Sequence, residues 1–162
     1  MNVIRRATSP QVPVSADAGG GATGGRDDGP AGASDRLPDC PATPNCVSSE
    51  GDPRDAVHFV APLGLPDGMA PEAAMDAFEA LVGSAPRGEV LERAPLRLRA
   101  IDRTAVFRFV DDVDARIDPA ARLLHVRSAS RVGRGDLGAN RRRVSAWLRE
   151  LSQAWGVAWP PR

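Results

Sequence analysis

The sequence predicts an α+β domain, an antiparallel sheet of about four to five strands with two helices packed on one of its faces. Three observations carry this expectation. Apolar residues recur at helical spacing near both ends of the ordered region, at Met75, Phe78, Leu81 and Val82 and again at Val144, Trp147, Leu148, Leu151 and Trp155. Between them lie segments that alternate with period two. The links between those segments are short enough for hairpins, which favours antiparallel pairing over a parallel α/β arrangement.

In chain order, residues 1–36 hold Gly19-Gly20-Gly21, Gly24-Gly25 and Asp27-Asp28 among scattered Pro, Ser and Ala, with few large apolar groups. Such a stretch cannot bury enough surface to offset its ordering entropy and is expected to be a disordered tail before a single domain at 37–162. The domain opens with a strap at 37–49, where Pro38, Pro41 and Pro44 exclude helix. Residues 57–63 suit a short edge strand ending at Pro62. Pro71 is acceptable in a first helical turn, so the first helix is expected over 71–82, stopped by Gly83.

Val90-Leu91 is a weak strand signal, and Leu96, Leu98 and Ala100 alternate with Arg97 and Arg99 before a turn at Asp102-Arg103-Thr104. From Ala105 to Ile117 the odd positions Phe107, Phe109, Val113, Ala115 and Ile117 are apolar. Asp111 falls on that same parity, so it is either a half-buried carboxylate that needs a partner or the mark of a bulge. Asp118-Pro119-Ala120-Ala121 suits a type I turn into a strand at Leu123–Ser130, which sets an acidic strand beside a basic one. The last helix should end at Gly156, with Asp136 or Asn140 capping its start.

Charge is distributed unevenly. The 162 residues carry 21 basic groups, all arginine, against 21 acidic ones. Residues 127–143, however, contain six arginines and one aspartate, a local charge of +6 − 1 = +5. Overall neutrality argues against non-specific nucleic-acid or membrane binding by the whole domain. No apolar run of signal-peptide or transmembrane length occurs, from which a soluble, cytoplasmic chain without a membrane segment is expected.

The segments Cys40–Ser49, Asp111-Asp112-Val113 and Arg127–Arg143 stand in an order that resembles the family catalogued as domain of unknown function 1499, over about residues 38–155. The resemblance implies an uncharacterised bacterial and plastid family, with no catalytic residue to carry over. Many of its members look membrane-attached or exported through an N-terminal hydrophobic segment, and this chain departs from them in lacking one.

The functional expectation is a non-enzymatic domain that recognises an anionic group through the arginine-rich loop. Arg127, Ser128, Ser130, Arg131, Arg134, Asp136, Asn140 and Arg141 are the candidate binding residues, and the partner is a small anionic ligand or an acidic protein surface. The competing reading is an internal ion-pair network in which Asp111, Asp112 and Asp114 neutralise these arginines, with Arg131 the expected partner of Asp111. An enzyme acting on a small acidic substrate, with His125 beside Ser128 or Ser130, or a cysteine with His58, is the alternative function, although none of these residues sits in a nucleophile-elbow context.

No cofactor is expected, because the glycines at 133–138 lack the lysine and spacing of a phosphate-binding loop. Nor is a metal, since neighbouring strand residues Asp111 and Asp112 point to opposite faces. Cys40 and Cys46 are expected as reduced thiols given the missing signal, with a disulfide as the alternative in an oxidising compartment.

Overall fold

A computed structural model describes residues 35–104 and 109–160. The tail expected at 1–36 falls outside them except for its last two residues, and so does Phe107. The described residues form β1 (Cys46–Ser48), β2 (Leu63–Gly64), α1 (Pro71–Ser84), β3 (Gly88–Ala94), β4 (Arg97–Arg103), β5 (Val110–Asp118), β6 (Leu123–Ser130) and α2 (Ala139–Trp155). The six strands make one sheet in the order β1-β6-β5-β4-β3, with β2 sharing the outer edge of β6. All pairs between these strands are antiparallel.

The expected alternation places the core. Leu98 and Ala100 of β4, Val113, Ala115 and Ile117 of β5, and Leu124 and Val126 of β6 are buried on one sheet face. Against them pack Ala74, Met75, Phe78 and Val82 of α1 and Val144, Trp147, Leu148 and Leu151 of α2, so both helices lie on that face. Phe78 and Trp147 meet edge to face at 5.9 Å, which ties the two helices together.

Several boundaries differ from expectation for local reasons. The edge strand expected at 57–63 is reduced to a single parallel bridge between Phe59 and Ser48, because Asp55 accepts the backbone N–H groups of Val57 and His58 and bends the chain there. Pairing with β6 begins only after Pro62, at Leu63. Helix α1 runs past Gly83 to Ser84, then turns sharply into β3. That turn needs Gly88: a Cβ there would lie 2.2 Å from the Val82 carbonyl oxygen. Strand β4 continues through the turn expected at 102–104, since Asp102 and Arg103 pair with Asp111 and Val110. Phe109 was expected in the core and is instead 47% exposed, ahead of the first β5 residue.

The strap also differs. Cys40 and Cys46 form a disulfide with a Cα–Cα separation of 5.6 Å, which corrects the expectation of reduced thiols. The proline-rich turn brings the two residues within the bonding range, a fact of backbone geometry that an argument from compartment does not address. Bonded cysteines also remove the thiol pair with His58, whose ring nitrogens contact Asp55 and the Thr43 carbonyl.

Candidate functional site

The sheet register builds the centre of the site before any helix is added. Asp102, Asp111 and Ser130 stand opposite one another on β4, β5 and β6, and the next row along the core face is Ala100, Val113 and Ser128. The pairing is continuous, so Asp111 is no bulge; it is a fully buried carboxylate at the end of an apolar face. Two aspartates directly opposite each other repel and need a cation.

Helix α2 supplies it. Asn140 and Arg143 are one turn apart and share a helix face. Arg143 Nη2 reaches Asp111 at 2.7 Å and Asp102 at 3.2 Å. Its Nη1 donates to Asn140 Oδ1 and Ser128 Oγ at 2.8 and 3.1 Å. Asn140, fully buried, accepts from Ser128 at 2.6 Å and donates to Ser130 Oγ and the Asn45 carbonyl. Asn45 in turn donates to the Gly133 carbonyl at 2.8 Å, so the network fastens the strap, the sheet, the arginine loop and α2 at one point. Asp111 Oδ1 has no hydrogen-bond partner among the described residues.

This network redistributes the expected binding residues. Ser128, Ser130 and Asn140 are its internal members. Arg131 does not pair with Asp111. It lies on the other face of the sheet, where it forms a two-pronged pair with Asp112 at 2.7 and 3.0 Å. The parity of β5 explains the exchange, because Asp111 and Asp112 face opposite sides and only a helix residue can reach the first. Arg127 pairs with Asp114 at 3.2 Å, while its buried Nε has no partner among the described residues. Burial holds the Asp114 carboxyl above its ordinary value against the opposing pull of Arg127 and Arg99, so this pair contributes little net stability.

Arg141 clamps the turn at 56–59, donating to the carbonyls of Phe59, Ala56 and Val57. Asp136 accepts the Gly138 and Asn140 N–H groups at 2.8 and 2.7 Å, satisfying donors at the start of α2, whereas Asn140 does not serve as its cap. Arg134 is exposed and has no ion-pair partner among the described residues.

His125 lies on the sheet face opposite Ser128 and Ser130, which separates the expected catalytic pairing. Its Nδ1 instead meets Ser49 Oγ at 3.3 Å. Burial pushes its imidazole below the ordinary value, with Glu50 pulling upward and Arg116 adding to the depression. Protons then bind the unfolded chain more readily than the folded one, so folded stability is lost as pH falls below about 6.5, the unfolded value. Urea unfolding between pH 7.5 and 5 should record this loss, and His125→Gln should flatten the slope in that range; an unaltered slope in the variant would remove His125 as its cause.

Beside the network lies a cleft of about 450 Å³, bounded by the end of α1, the end of β4 and the start of α2. The buried Asp102 and Trp147 and the half-buried Arg143 line it together with the exposed Arg87 and Arg142. Arg103 also lines it and pairs outward with Glu89 at 2.9 Å. Arg87 and Arg142 have no carboxylate partner among the described residues. Arg87 Nε donates to the Arg103 carbonyl and Arg142 Nη1 to the Leu137 carbonyl, which leaves most of their guanidinium donors uncommitted.

Sequence reasoning missed Asp102, Arg142, Arg143 and Arg87. The period-two pattern of Leu98 and Ala100 runs on to Asp102, and Arg143 is four residues before Trp147 on the apolar stripe, so both had a signal. Arg87, in a turn, had none.

The strap, the Asp111 strand and the arginine segment, joined here by one network, all lie within residues 36–151, which match the family model described as "Protein of unknown function (DUF1499)". The chain belongs to the DUF1499 family. No curated protein matches it. In this DUF1499 protein no helix among the described residues is long and apolar enough to cross a membrane, and among them no group of three or more His, Cys, Asp or Glu side chains is placed to hold a metal ion.

Proposed function

We propose that this DUF1499 domain is a binding module for a small anion, taken up in the cleft between α1, β4 and α2. The observation that carries the reading is the pair Arg87 and Arg142, two exposed guanidiniums on one cleft, neither engaged by a described carboxylate. A guanidinium fork matches the geometry of a carboxylate or phosphate and binds it by charge-assisted hydrogen bonds. Arg143 and Asp102 form a prearranged floor, held from behind by Asp111 and Asn140, so no rearrangement of the core is needed to admit a ligand. Relative to the expectation from sequence, the site moves from the 127–141 side chains to the cleft at the far end of the same segment. Arg134 is the one candidate of the original set that retains an unengaged charge among the described residues.

A thermal-shift screen against phosphate, nucleotides and dicarboxylates tests this, because a ligand selective for the folded state raises the midpoint; at a hundred times its Kd it adds about 2.7 kcal/mol. The selected anion, measured by calorimetry, should bind Arg142→Glu at least about tenfold more weakly, a loss of about 1.4 kcal/mol. Arg131→Ala should bind it as the wild type does. Affinity indifferent to both Arg87→Ala and Arg142→Glu would overturn the reading.

A further inference from the structure

The cleft holds a negative group as well as its arginines. Asp102 borders it and is only 7% exposed. Its Oδ1 stands 3.2 Å from Arg143 Nη2, but that nitrogen makes its shorter contact, 2.7 Å, with Asp111. Asp102 Oδ2 has no hydrogen-bond or ion-pair partner among the described residues. A carboxylate so far removed from water needs donors, because an unsatisfied one bears the desolvation cost in full.

The local charge points the same way. Asp102 and Asp111 share one guanidinium, which leaves this cluster a formal charge of −1. Asp111 is fully buried, so the excess is reached from the cleft through Asp102. Arg103 also borders the cleft, but its charge is engaged by Glu89 on β3. Arg87 and Arg142 are engaged only by backbone carbonyls among the described residues. The cleft therefore offers two cations and, set apart from them, one carboxylate short of donors. A plain anion suits the arginines and is repelled by Asp102. The rest of the lining includes Ala85, Pro86, Ala139, Ala146 and Trp147, an apolar wall suited to a short carbon chain.

We propose that the anion taken up by this cleft carries an amine. The ligand is a small zwitterion whose ammonium donates to Asp102 while its carboxylate or phosphate is held by Arg87 and Arg142, joined by a short carbon chain. An ammonium brings three donors and one positive charge, which supplies the missing hydrogen bonds and balances the excess at Asp102. The assignment rests on anion uptake by the cleft and adds the chemical class of the anion.

Calorimetry of the full chain with matched compounds tests it. The pairs are glycine with acetate, β-alanine with propionate, γ-aminobutyrate with butyrate, and phosphoethanolamine with ethyl phosphate. Members of a pair differ by the amine alone, and the last pair sets phosphate against carboxylate. In at least one pair the amino compound should bind at least about tenfold more tightly than its match, as one hydrogen bond between charged groups provides. Asp102→Asn should abolish that preference, whereas Arg142→Glu should weaken both members of the pair. Equal affinity within every pair would overturn the assignment on the wild type alone, and a preference retained by Asp102→Asn would overturn it too. In either case a loss of affinity in Arg142→Glu would leave anion uptake by the cleft standing. Binding by none of the eight compounds would also overturn the amine, and the anion screen above would then judge the cleft separately.

Discussion

Arg143→Met should cost the fold about 3–5 kcal/mol, the range expected when one partner of a buried ion pair is removed. The loss is large because Arg143 neutralises two carboxylates at once: Asp111 is fully buried and Asp102 nearly so, and they face each other across β4 and β5. Without the guanidinium, two desolvated negative charges are left side by side, and Asn140 and Ser128 each lose a donor. Adding Asp111→Asn to the methionine variant should recover much of the loss, since it removes one stranded charge. Urea unfolding of wild type, single and double variants measures both effects, and the two substitutions should couple rather than add. A loss below about 1 kcal/mol for Arg143→Met, typical of exposed pairs, would show that the network contributes little to the fold.

Glu50→Ala should destabilise the domain by a similar amount, about 3–5 kcal/mol, by a different route. Glu50 and Arg116 are paired at 2.5 Å on the opposite face of the sheet, with side chains only 5% and 9% exposed. The same carboxylate accepts the Leu37 N–H, so it fastens the start of the domain to β5. Its removal leaves the Arg116 charge buried, helped among the described residues by Asp118 at 3.6 Å. The Arg116→Met, Glu50→Leu double variant should be markedly more stable than Glu50→Ala alone. A double variant no better than the single one would mean that the Leu37 contact, not the stranded charge, sets the cost.

These two pairs mark where sequence reasoning succeeded and where it ended. The sheet face was legible because Leu124, Val126 and Ser128 on β6 and Val113, Ala115 and Ile117 on β5 obey period two without interruption. The same parity singled out Asp111 as a carboxylate in need of a partner. Its partner was misassigned to Arg131 because strand neighbours are countable from sequence, whereas the reach of a helix across the sheet depends on packing. The pairing of arginines with Asp112 and Asp114 followed from the hairpin, whose register sets Asp114 opposite Arg127. The cleft was illegible: Arg87 sits in a turn whose direction is fixed by the close approach of Gly88 to Val82, a tertiary fact with no sequence period.

Neighbouring arginines of one segment are engaged differently: Arg143 is held by Asp102, Asp111, Ser128 and Asn140, whereas Arg142 is exposed and donates to the Leu137 carbonyl. Modification of the native protein with phenylglyoxal, read residue by residue by tandem mass spectrometry, tests that difference directly. Arg87, Arg134 and Arg142 should react readily, while Arg143 and Arg116 should be spared until the protein unfolds. Modification of Arg143 at the rate of Arg142 in the folded protein would show that Arg143 is not held in the network.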